Sequence, residues 1–468
     1  MATLSEDRLF PLDPVAKSIA RELYASVRNL PIISPHGHTD PSWFALNERF
    51  PNPAELFVIP DHYVFRMLVS QGIKLTDLGV PRIDGGKVER DPERIWKIFA
   101  DHFYLFRGTP SALWLEHSFQ EVFGLDLLFG PETADVFYDQ IDAKLALPEF
   151  RPRALFDRFN IEVIATTEGA LDDLAYHKIV RDSDWDGRIL TTYRPDAVVD
   201  PEFEGFGQNI ETLGALTGED TTTWQGYLNA HRLRRAFFKS MGATATDHGH
   251  PTARTENFDP DTANAFYQKA RTGCCSTEEA DAFRGHMLTE MARMSLEDGL
   301  VMQIHAGSQR NHSAPVFDAF GHDKGFDIPG QTEYVRNLKP LLDAVGLEPN
   351  LTIILFTLDE TAYSRELAPL AGVYPSLKLG PPWWFHDSYE GIKRFREQVT
   401  ETAGFYNTAG FNDDTRAFCS IPARHDVARR CDCAYLANLV ATGRLREGEA
   451  QLLAYDLTYG LAKQAYRL

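Results

Sequence analysis

Two histidines with one glycine between them, His36 and His38, follow a short apolar run near the start of the chain. Side chains alternate between the two faces of an extended segment, so both imidazoles would point to the same side. Such a pair can bind a divalent metal, or it can form a polar turn in which both rings hydrogen-bond to the backbone. The choice depends on whether the sequence supplies further ligands.

Other residues that can do chemistry stand at the ends of later apolar runs. They are Arg194 in TYRPD, Asp247 and His248 in TDHGH, His305 in QIHAG, Trp383 and Trp384 in PPWWF, and Asp414 and Arg416 in NDDTRAF. His36, His38 and Asp414 offer two imidazoles and a carboxylate, a set that suits Zn²⁺ and leaves a coordination position open. His305 is then a fourth ligand, a substrate contact or a buried core residue.

Two further pairs repeat a one-residue spacing. His250 precedes a proline, so of His248 and His250 we expect at most His248 to reach the site. Cys431 and Cys433 form a lone CxC pair beside two arginines, and we interpret them as reduced structural cysteines rather than a metal site.

Eight short apolar runs are the candidate strands that position these residues. They are Ile32–His38, Ile161–Thr167, Ile189–Arg194, Ala243–His248, Val301–Gly307, Leu351–Thr357, Leu377–Pro382 and Tyr406–Asp414. Helical periodicity lies between most of them, most clearly at 332–345 and 388–403. This alternation predicts an α/β fold, a (β/α)8 barrel with its chemistry at the carboxyl ends of the strands. A doubly wound sheet is the main alternative, but no glycine-rich nucleotide-binding loop follows any run.

More than a hundred residues separate the first two runs, far more than an ordinary loop. This stretch is rich in helical patterns, which predicts a helical subdomain inserted after the first strand and lying over the barrel mouth. We therefore predict that residues 1–40 and 155–468 form the barrel and that residues 41–154 form the insertion. Two smaller helical insertions are expected near 197–242 and 251–300.

Composition narrows the class of protein. The 468 residues are 43% hydrophobic, and the formal net charge of −20 makes nucleic acid and anionic membranes poor partners. No basic start precedes an apolar segment at the N-terminus, and no apolar run approaches the roughly 18 residues of a membrane span. Five cysteines at irregular spacings do not suggest a disulfide framework. We expect a cytoplasmic protein.

The order of these features resembles the amidohydrolase superfamily, which has HxH after the first strand, a histidine after the fifth and an aspartate after the eighth. The fourth run ends without lysine and the sixth ends LFTLDE without histidine, which implies a mononuclear or weakly metal-dependent member. Longer motifs resemble the uronate isomerase family, the glucuronate isomerases of hexuronate breakdown. They run in order from about residue 30 to about residue 430 and comprise HGHTDP, DHYVFR, FNIEVIATTEGALDD, TYRPD, QIHAGSQRN, PPWWF and NDDTRAF…PARHDVARR.

The resemblance implies an isomerase that interconverts D-glucuronate and D-fructuronate, and D-galacturonate and D-tagaturonate, by moving a proton from C2 to C1 through an enediol. It implies one divalent metal, Zn²⁺ with Mn²⁺ as the alternative, held by His36, His38 and Asp414. It also brings His62 and Tyr63 of DHYVFR into the active site. Without the resemblance, this segment would be packing with a local ion pair to Asp61.

Substrate contacts follow from the chemistry of a sugar acid. Arginine binds carboxylate through a planar fork, and the resemblance implies that Arg416 lies near the reacting centre, so Arg194 is the first candidate for the C6 carboxylate. Asp414 or Tyr63 could carry protons. His305 and the aromatic faces of Trp383 and Trp384 would line the sugar pocket.

Two alternatives remain open at this point. A mononuclear metal-dependent hydrolase of the same superfamily, such as a lactonase, would share the metal site but use a metal-bound water. A non-catalytic sugar-acid binding protein would keep the barrel without its acid–base groups. In each case the partner is a small molecule, and we expect a homo-oligomer.

Overall fold

The computed structural model describes residues 4–468. Its strands are Ile32–Ser34 (β1), Ile161–Gly169 (β2), Arg188–Arg194 (β3), Ala245–His248 (β4), Val301–Ala306 (β5), Ser308–Gln309 (β6), Ile328–Pro329 (β7), Ile353–Thr357 (β8) and Leu377–Leu379 (β9). Seven of them form one sheet in the order β1-β2-β3-β4-β5-β8-β9, and every pairing in it is parallel. Parallel strands that follow one another in chain order make an α/β barrel, because a doubly wound sheet reverses its order at a switch point.

The eighth position of the barrel is not a regular strand, so the prediction of a strand over Tyr406–Asp414 was wrong. Thr408 makes a single parallel bridge to Leu379. The N–H of His38 donates to the carbonyl of Thr415 at 3.0 Å, which ties the end of the segment to the chain after β1. Asp414 has a φ of +39°, a left-handed conformation that cannot continue a strand. The segment therefore closes the barrel through isolated contacts.

Several other elements are shorter than the sequence predicts. β1 ends at Ser34, so His36 and His38 lie in irregular backbone beyond the strand rather than on an alternating strand. The helix predicted over 332–345 begins only at Lys339, whereas the one predicted over 388–403 runs from Tyr389 to Ala403.

Helices fill the connections between the strands. The first eight are Pro14–Val27 (α1), Pro41–Leu46 (α2), Pro53–Phe57 (α3), His62–Val69 (α4), Pro92–Asp101 (α5), Pro110–His117 (α6), Ala134–Leu145 (α7) and Pro152–Arg158 (α8). The others are Ala175–Arg181 (α9), Asp196–Val199 (α10), Phe206–Thr217 (α11), Trp224–Ser240 (α12), Pro260–Arg271 (α13), Thr277–Asp298 (α14), Ala314–Phe320 (α15), Lys339–Val345 (α16), Ala368–Ala371 (α17), Tyr389–Ala403 (α18), Ile421–Ala441 (α19), Glu447–Tyr455 (α20) and Leu461–Tyr466 (α21). None of the described helices combines the length and apolar character that crossing a bilayer requires.

The helices between β1 and β2, α2 to α8, start where the local sequence favours a start. Most begin with proline, whose fixed φ and missing N–H suit the first helical position. The preceding residues Asp40, Asn52, Asp91 and Thr109 accept a backbone N–H as N-caps. Capping residues and prolines, rather than long periodic patterns, therefore determine where these short helices begin.

One aromatic-rich core joins α2–α8 to the barrel. Phe44, Trp96 and Phe99 of these helices share a buried cluster with Ile164 of β2 and with Phe418. Burial of that apolar surface fixes the helices over the barrel, because each large buried side chain contributes about 1.5–3 kcal/mol. The division into residues 1–40 with 155–468 and residues 41–154 stays a prediction.

Candidate active site

A cavity of about 890 Å³ opens at the carboxyl ends of the barrel strands. The structure brings all of the sequence-predicted site residues to its wall, namely His36, His38, His62, Tyr63, Arg194, His305, Trp383, Trp384, Asp414 and Arg416. They come from segments up to 380 positions apart in the chain, so the barrel rather than local sequence assembles them. Their individual roles stay predictions.

His36, His38 and Asp414 form a group whose ligand atoms all lie within 4.8 Å of one another. The Oδ1 atom of Asp414 is 3.2 Å from Nε2 of His38 and 3.5 Å from Nε2 of His36. Within the described residues that oxygen makes no aligned hydrogen bond, as expected of atoms that converge on a shared ion.

The charge states in this group suit metal binding. Burial lowers the pKa of His36 to about 3, which leaves the imidazole neutral and able to ligate. Burial alone would raise the pKa of Asp414, but His36, His38 and His305 outweigh it and hold the pKa below its ordinary value. Two imidazoles and a carboxylate are a donor set that fits Zn²⁺.

A second group of possible ligands, His36, Asp247 and His305, lies deeper in the barrel. Nδ1 of His305 is 2.6 Å from Oδ1 of Asp247, and its ring stacks on that of His36 with centroids 4.7 Å apart. Nε2 of His305 is buried without a hydrogen-bond partner among residues 4–468, so it is available to a ligand in the cavity.

Neither His248 nor His250 lines the cavity. Asp247 lines the cavity, whereas His248 is fully buried and Nε2 of its ring lies 3.0 Å from Oγ1 of Thr246. Side chains alternate along β4, so Asp247 faces the cavity when its two neighbours face away from it. His250 is also buried outside the cavity wall. A stricter use of the strand register would have selected Asp247.

Arg194 enters the cavity from the end of β3 with two carboxylates beside it. Its Nε donates to Oδ2 of Asp196 at 2.7 Å, and its Nη1 is 3.3 Å from Oδ2 of Asp247. Burial would lower the pKa of Arg194, but these two carboxylates raise it above its ordinary value. The guanidinium is therefore fully charged and held in place before any ligand arrives.

The segment between β5 and β8 covers the other side of the cavity, and it contributes charged side chains that the sequence pattern alone does not predict. Nη2 of Arg416 donates to Oδ2 of Asp323 at 2.7 Å, and Nη1 of Arg310 is 3.5 Å from Oδ1 of the same residue. Burial would raise the pKa of Asp323, but the two arginines lower it. The motif QIHAGSQRN extends into this segment and includes Arg310, so it is the feature of the sequence from which a role for the segment could have been predicted.

His62 and Tyr63 reach the cavity from the first turn of α4. Oδ1 of Asp61 accepts the N–H of Tyr63 at 2.8 Å, so Asp61 is the helix cap rather than half of an ion pair with Arg66. The guanidinium of Arg66 lies over the ring of Phe385, 4.7 Å from its centroid.

Burial sets the charge of both rings. It lowers the pKa of His62 to about 3, aided by the nearby charge of Arg416, and it raises the pKa of Tyr63. Both side chains are therefore neutral at pH 7 and present hydrogen-bonding groups. The His62 ring lies 4.8 Å from that of Tyr63 and 5.4 Å from that of Trp384.

Four residues of the cavity wall carry left-handed backbone without being glycine. They are Asn311, with φ +52°, Asp323, with φ +60°, Trp384, with φ +53°, and Asp414, with φ +39°. Such a conformation costs about 1–3 kcal/mol and persists only where the surroundings hold it. Nε1 of Trp384 is also buried without a partner in the described part of the chain, which leaves a donor for a ligand hydroxyl.

Comparisons of the sequence and of the fold with known proteins indicate one family. The chain matches the model of a family described as glucuronate isomerase over residues 6–466. A uronate isomerase of Mesorhizobium japonicum is 64% identical over 468 residues, 100% of both chains. The crystal structure of a glucuronate isomerase from Caulobacter crescentus is 58% identical with a TM-score of 0.98, covering 100% of this chain and 97% of that one. The structure of a uronate isomerase from Thermotoga maritima is 27% identical with a TM-score of 0.92, covering 100% of both chains.

Proposed function

The chain belongs to the glucuronate isomerase family, and from this premise we propose how its cavity performs uronate isomerisation. The protein is a uronate isomerase. We propose that it interconverts D-glucuronate and D-fructuronate, and D-galacturonate and D-tagaturonate, in hexuronate breakdown. The observation that carries this proposal is the meeting of a possible metal-binding group, a tyrosine hydroxyl and several arginines in one cavity.

The proposed cofactor is one divalent ion, Zn²⁺ or Mn²⁺, held by His36, His38 and Asp414. When bound, such an ion polarises a carbonyl oxygen and lowers the cost of negative charge on it. Three protein ligands leave a position open for substrate. Two observations support this assignment: the imidazole of His36 is neutral, and Oδ1 of Asp414 is buried without a hydrogen-bond partner in the described residues.

Aldose–ketose isomerisation moves protons at four atoms. The base takes the proton from C2 and the carbonyl oxygen on C1 gains a proton; C1 then gains a proton as the hydroxyl on C2 loses its own and becomes the ketone. We assign the transfer from C2 to C1 to the Asp414 carboxylate, and we assign to Tyr63 both the donation to the carbonyl oxygen and the recovery of the proton that the hydroxyl on C2 releases. Proton transfer by positioned side chains contributes about 10²–10⁴-fold to a rate. Contact with His62 keeps the Tyr63 ring at the cavity wall.

The proposed anchor for the C6 carboxylate is Arg194, which lines the cavity and whose Nη2 lies next to Gly249. His305, Trp383 and Trp384 would contact the sugar hydroxyls through the unpartnered ring nitrogens of His305 and Trp384 and through aromatic faces. The competing anchor is the pair of Arg310 and Arg416. These two guanidinium groups share Asp323, and Nη1 of Arg310 also lies 3.5 Å from Oδ2 of Asp327, whereas two carboxylates lie beside the single guanidinium of Arg194.

The direct test of the proposed function is conversion of a uronate to its ketose. Purified protein loaded with Zn²⁺ or Mn²⁺ is incubated with D-glucuronate or D-galacturonate, and the products are followed by ¹H NMR. We expect ketose signals from at least one uronate, approached from either direction of the reaction. A folded, metal-loaded protein that forms no ketose from either sugar would contradict the proposal, and hydrolysis of an aldonolactone instead would favour the hydrolase alternative.

A cytoplasmic location and a homo-oligomeric state belong to the same proposal. The five cysteines are all free in the structure, and the proposed substrate is a small anion rather than a polymer or a membrane. Light scattering after size-exclusion chromatography measures the oligomeric state, and fractionation of cells measures the location.

A further inference from the structure

The PARHD motif at residues 422–426 has no part in the site described so far, although its arginine is one of the most deeply buried in the protein. Arg424 lies in the first turns of α19 with a side chain only 2% exposed. A buried guanidinium requires a counter-charge and full hydrogen bonding, because an uncompensated buried charge is strongly destabilising. The identity of its partners therefore indicates what it holds together.

On the barrel side, Arg424 contacts two loops that border the cavity. Its Nη1 pairs with Oδ2 of Asp387, in the loop after Trp384, and reaches the carbonyl of Asp413 at 3.3 Å. Its Nε donates to Oγ of Ser420 at 3.3 Å. One side chain thus binds the backbone immediately before Asp414.

On the other side, Arg424 stacks on aromatic rings of the helices that cover the barrel. Its guanidinium carbon lies 3.6 Å from the ring centroid of Trp114 in α6 and 5.1 Å from that of Tyr63 in α4. These two rings also meet edge to face, 5.8 Å apart. Arginine suits this position because its planar group donates hydrogen bonds at its edge while both faces stack.

The backbone conformation of Asp414 explains why the contacts of Arg424 matter. A left-handed aspartate stays in place only where neighbouring groups over-determine it. The residue before it is held twice from α19, through its carbonyl by Arg424 and through Oδ2, which lies 3.0 Å from Nε2 of His425. Loss of either contact would let the carboxylate of Asp414 turn away.

We propose that Arg424 is a positioning residue that fixes Tyr63 and Asp414 relative to each other across the cavity, with Asp387 as its counter-charge. This inference rests on the proposed function, because it takes Tyr63 and Asp414 as the proton-handling groups. The competing view is an ordinary buried ion pair that only stabilises the fold.

The chain provides a matched control for that competing view. Arg396 of α18 pairs with Asp432 of α19 through two hydrogen bonds, at 2.6 and 3.0 Å. Its side chain is 4% exposed, compared with 2% for Arg424, and it also stacks on a ring, that of Phe395. Neither member of this control pair lines the cavity.

The experiment compares Arg424→Lys with Arg396→Lys in the full-length, metal-loaded protein. Both variants keep the charge and lose the planar fork, so we expect similar losses of thermal stability. For Arg424→Lys we expect kcat to fall about 100-fold, the scale of a 1 Å misplacement of catalytic groups, with KM within about threefold of wild type. For Arg396→Lys we expect both constants within about threefold, since the distant pair changes only stability.

Three outcomes decide the inference. A wild-type kcat in Arg424→Lys, or equal losses of kcat in the two variants, would overturn it. If Arg424→Lys does not fold, Asp387→Asn replaces it. Asparagine keeps the size of the side chain and an oxygen that can accept from Arg424, so this variant disturbs the pair less than a truncation would. For Asp387→Asn we expect kcat to be about 10-fold lower than that of the wild type. An unchanged kcat in this variant would also overturn the inference. An inactive wild-type protein would instead be a failure of the proposed function.

Discussion

Replacing Asp414 by asparagine is expected to lower kcat about 1,000-fold, within the range that proton transfer by a positioned side chain contributes. The amide keeps the shape of the carboxylate but cannot accept the proton from C2, and it is a weaker ligand for a divalent ion. Stability should change by less than about 1 kcal/mol, because Oδ1 makes no aligned hydrogen bond in the described residues. The measurements are steady-state kinetics at saturating Zn²⁺, bound metal and thermal unfolding.

A control for this variant is Glu202→Gln, which also removes one charge from the cavity wall. Glu202 is paired with Arg284 and its side chain is 45% exposed, so we expect kcat within about twofold of wild type. Near-normal turnover of Asp414→Asn with bound metal would remove this residue from the mechanism.

Replacing Arg194 by lysine is expected to lower kcat/KM for D-glucuronate about 100-fold, with most of the change in KM. Lysine keeps the charge but replaces a planar fork with a single ammonium, and each tenfold loss corresponds to about 1.4 kcal/mol of binding. Asp196 and Asp247 keep a cationic partner, so the fold should survive. The measurement is initial rate against uronate concentration.

Arg416→Lys and Arg310→Lys are the matched comparisons, because both arginines line the same cavity. We expect Arg416→Lys to act on kcat, since it lies beside His62 and affects its pKa. An unchanged KM in Arg194→Lys, together with a KM raised about 100-fold in either comparison, would move the carboxylate anchor to the side of the cavity that carries Asp323.

The barrel and the gathering of the site were predictable because both depend on short-range patterns. Buried parallel strands appear as short apolar runs, and the residue that follows each run faces the mouth of the barrel. That rule places His305 and Arg194 correctly at the ends of β5 and β3. It needs no knowledge of which side chains touch.

The remaining features of the site depend on contacts between segments that are distant in the sequence. The apolar pattern predicts that Asp414 ends a strand, but its position is set by a left-handed turn that α19 stabilises. The sequence places both Asp247 and His248 at the end of one run and does not separate them, because a shift of one residue in strand register exchanges the buried and cavity-facing side chains. Asp323 could not be found because it acts through arginines at positions 310 and 416, which only the folded chain brings together.

The most direct test of the account is a crystal structure of the Zn²⁺-loaded protein with D-glucarate, a six-carbon diacid that resembles the open-chain uronate and cannot isomerise. We predict one ion bound by His36, His38 and Asp414, with one carboxylate of the diacid at the ion and the other on Arg194. Tyr63 should lie within hydrogen-bond distance of the oxygens near C1 and C2. An ion held by other residues, or a diacid bound outside this cavity, would contradict the account.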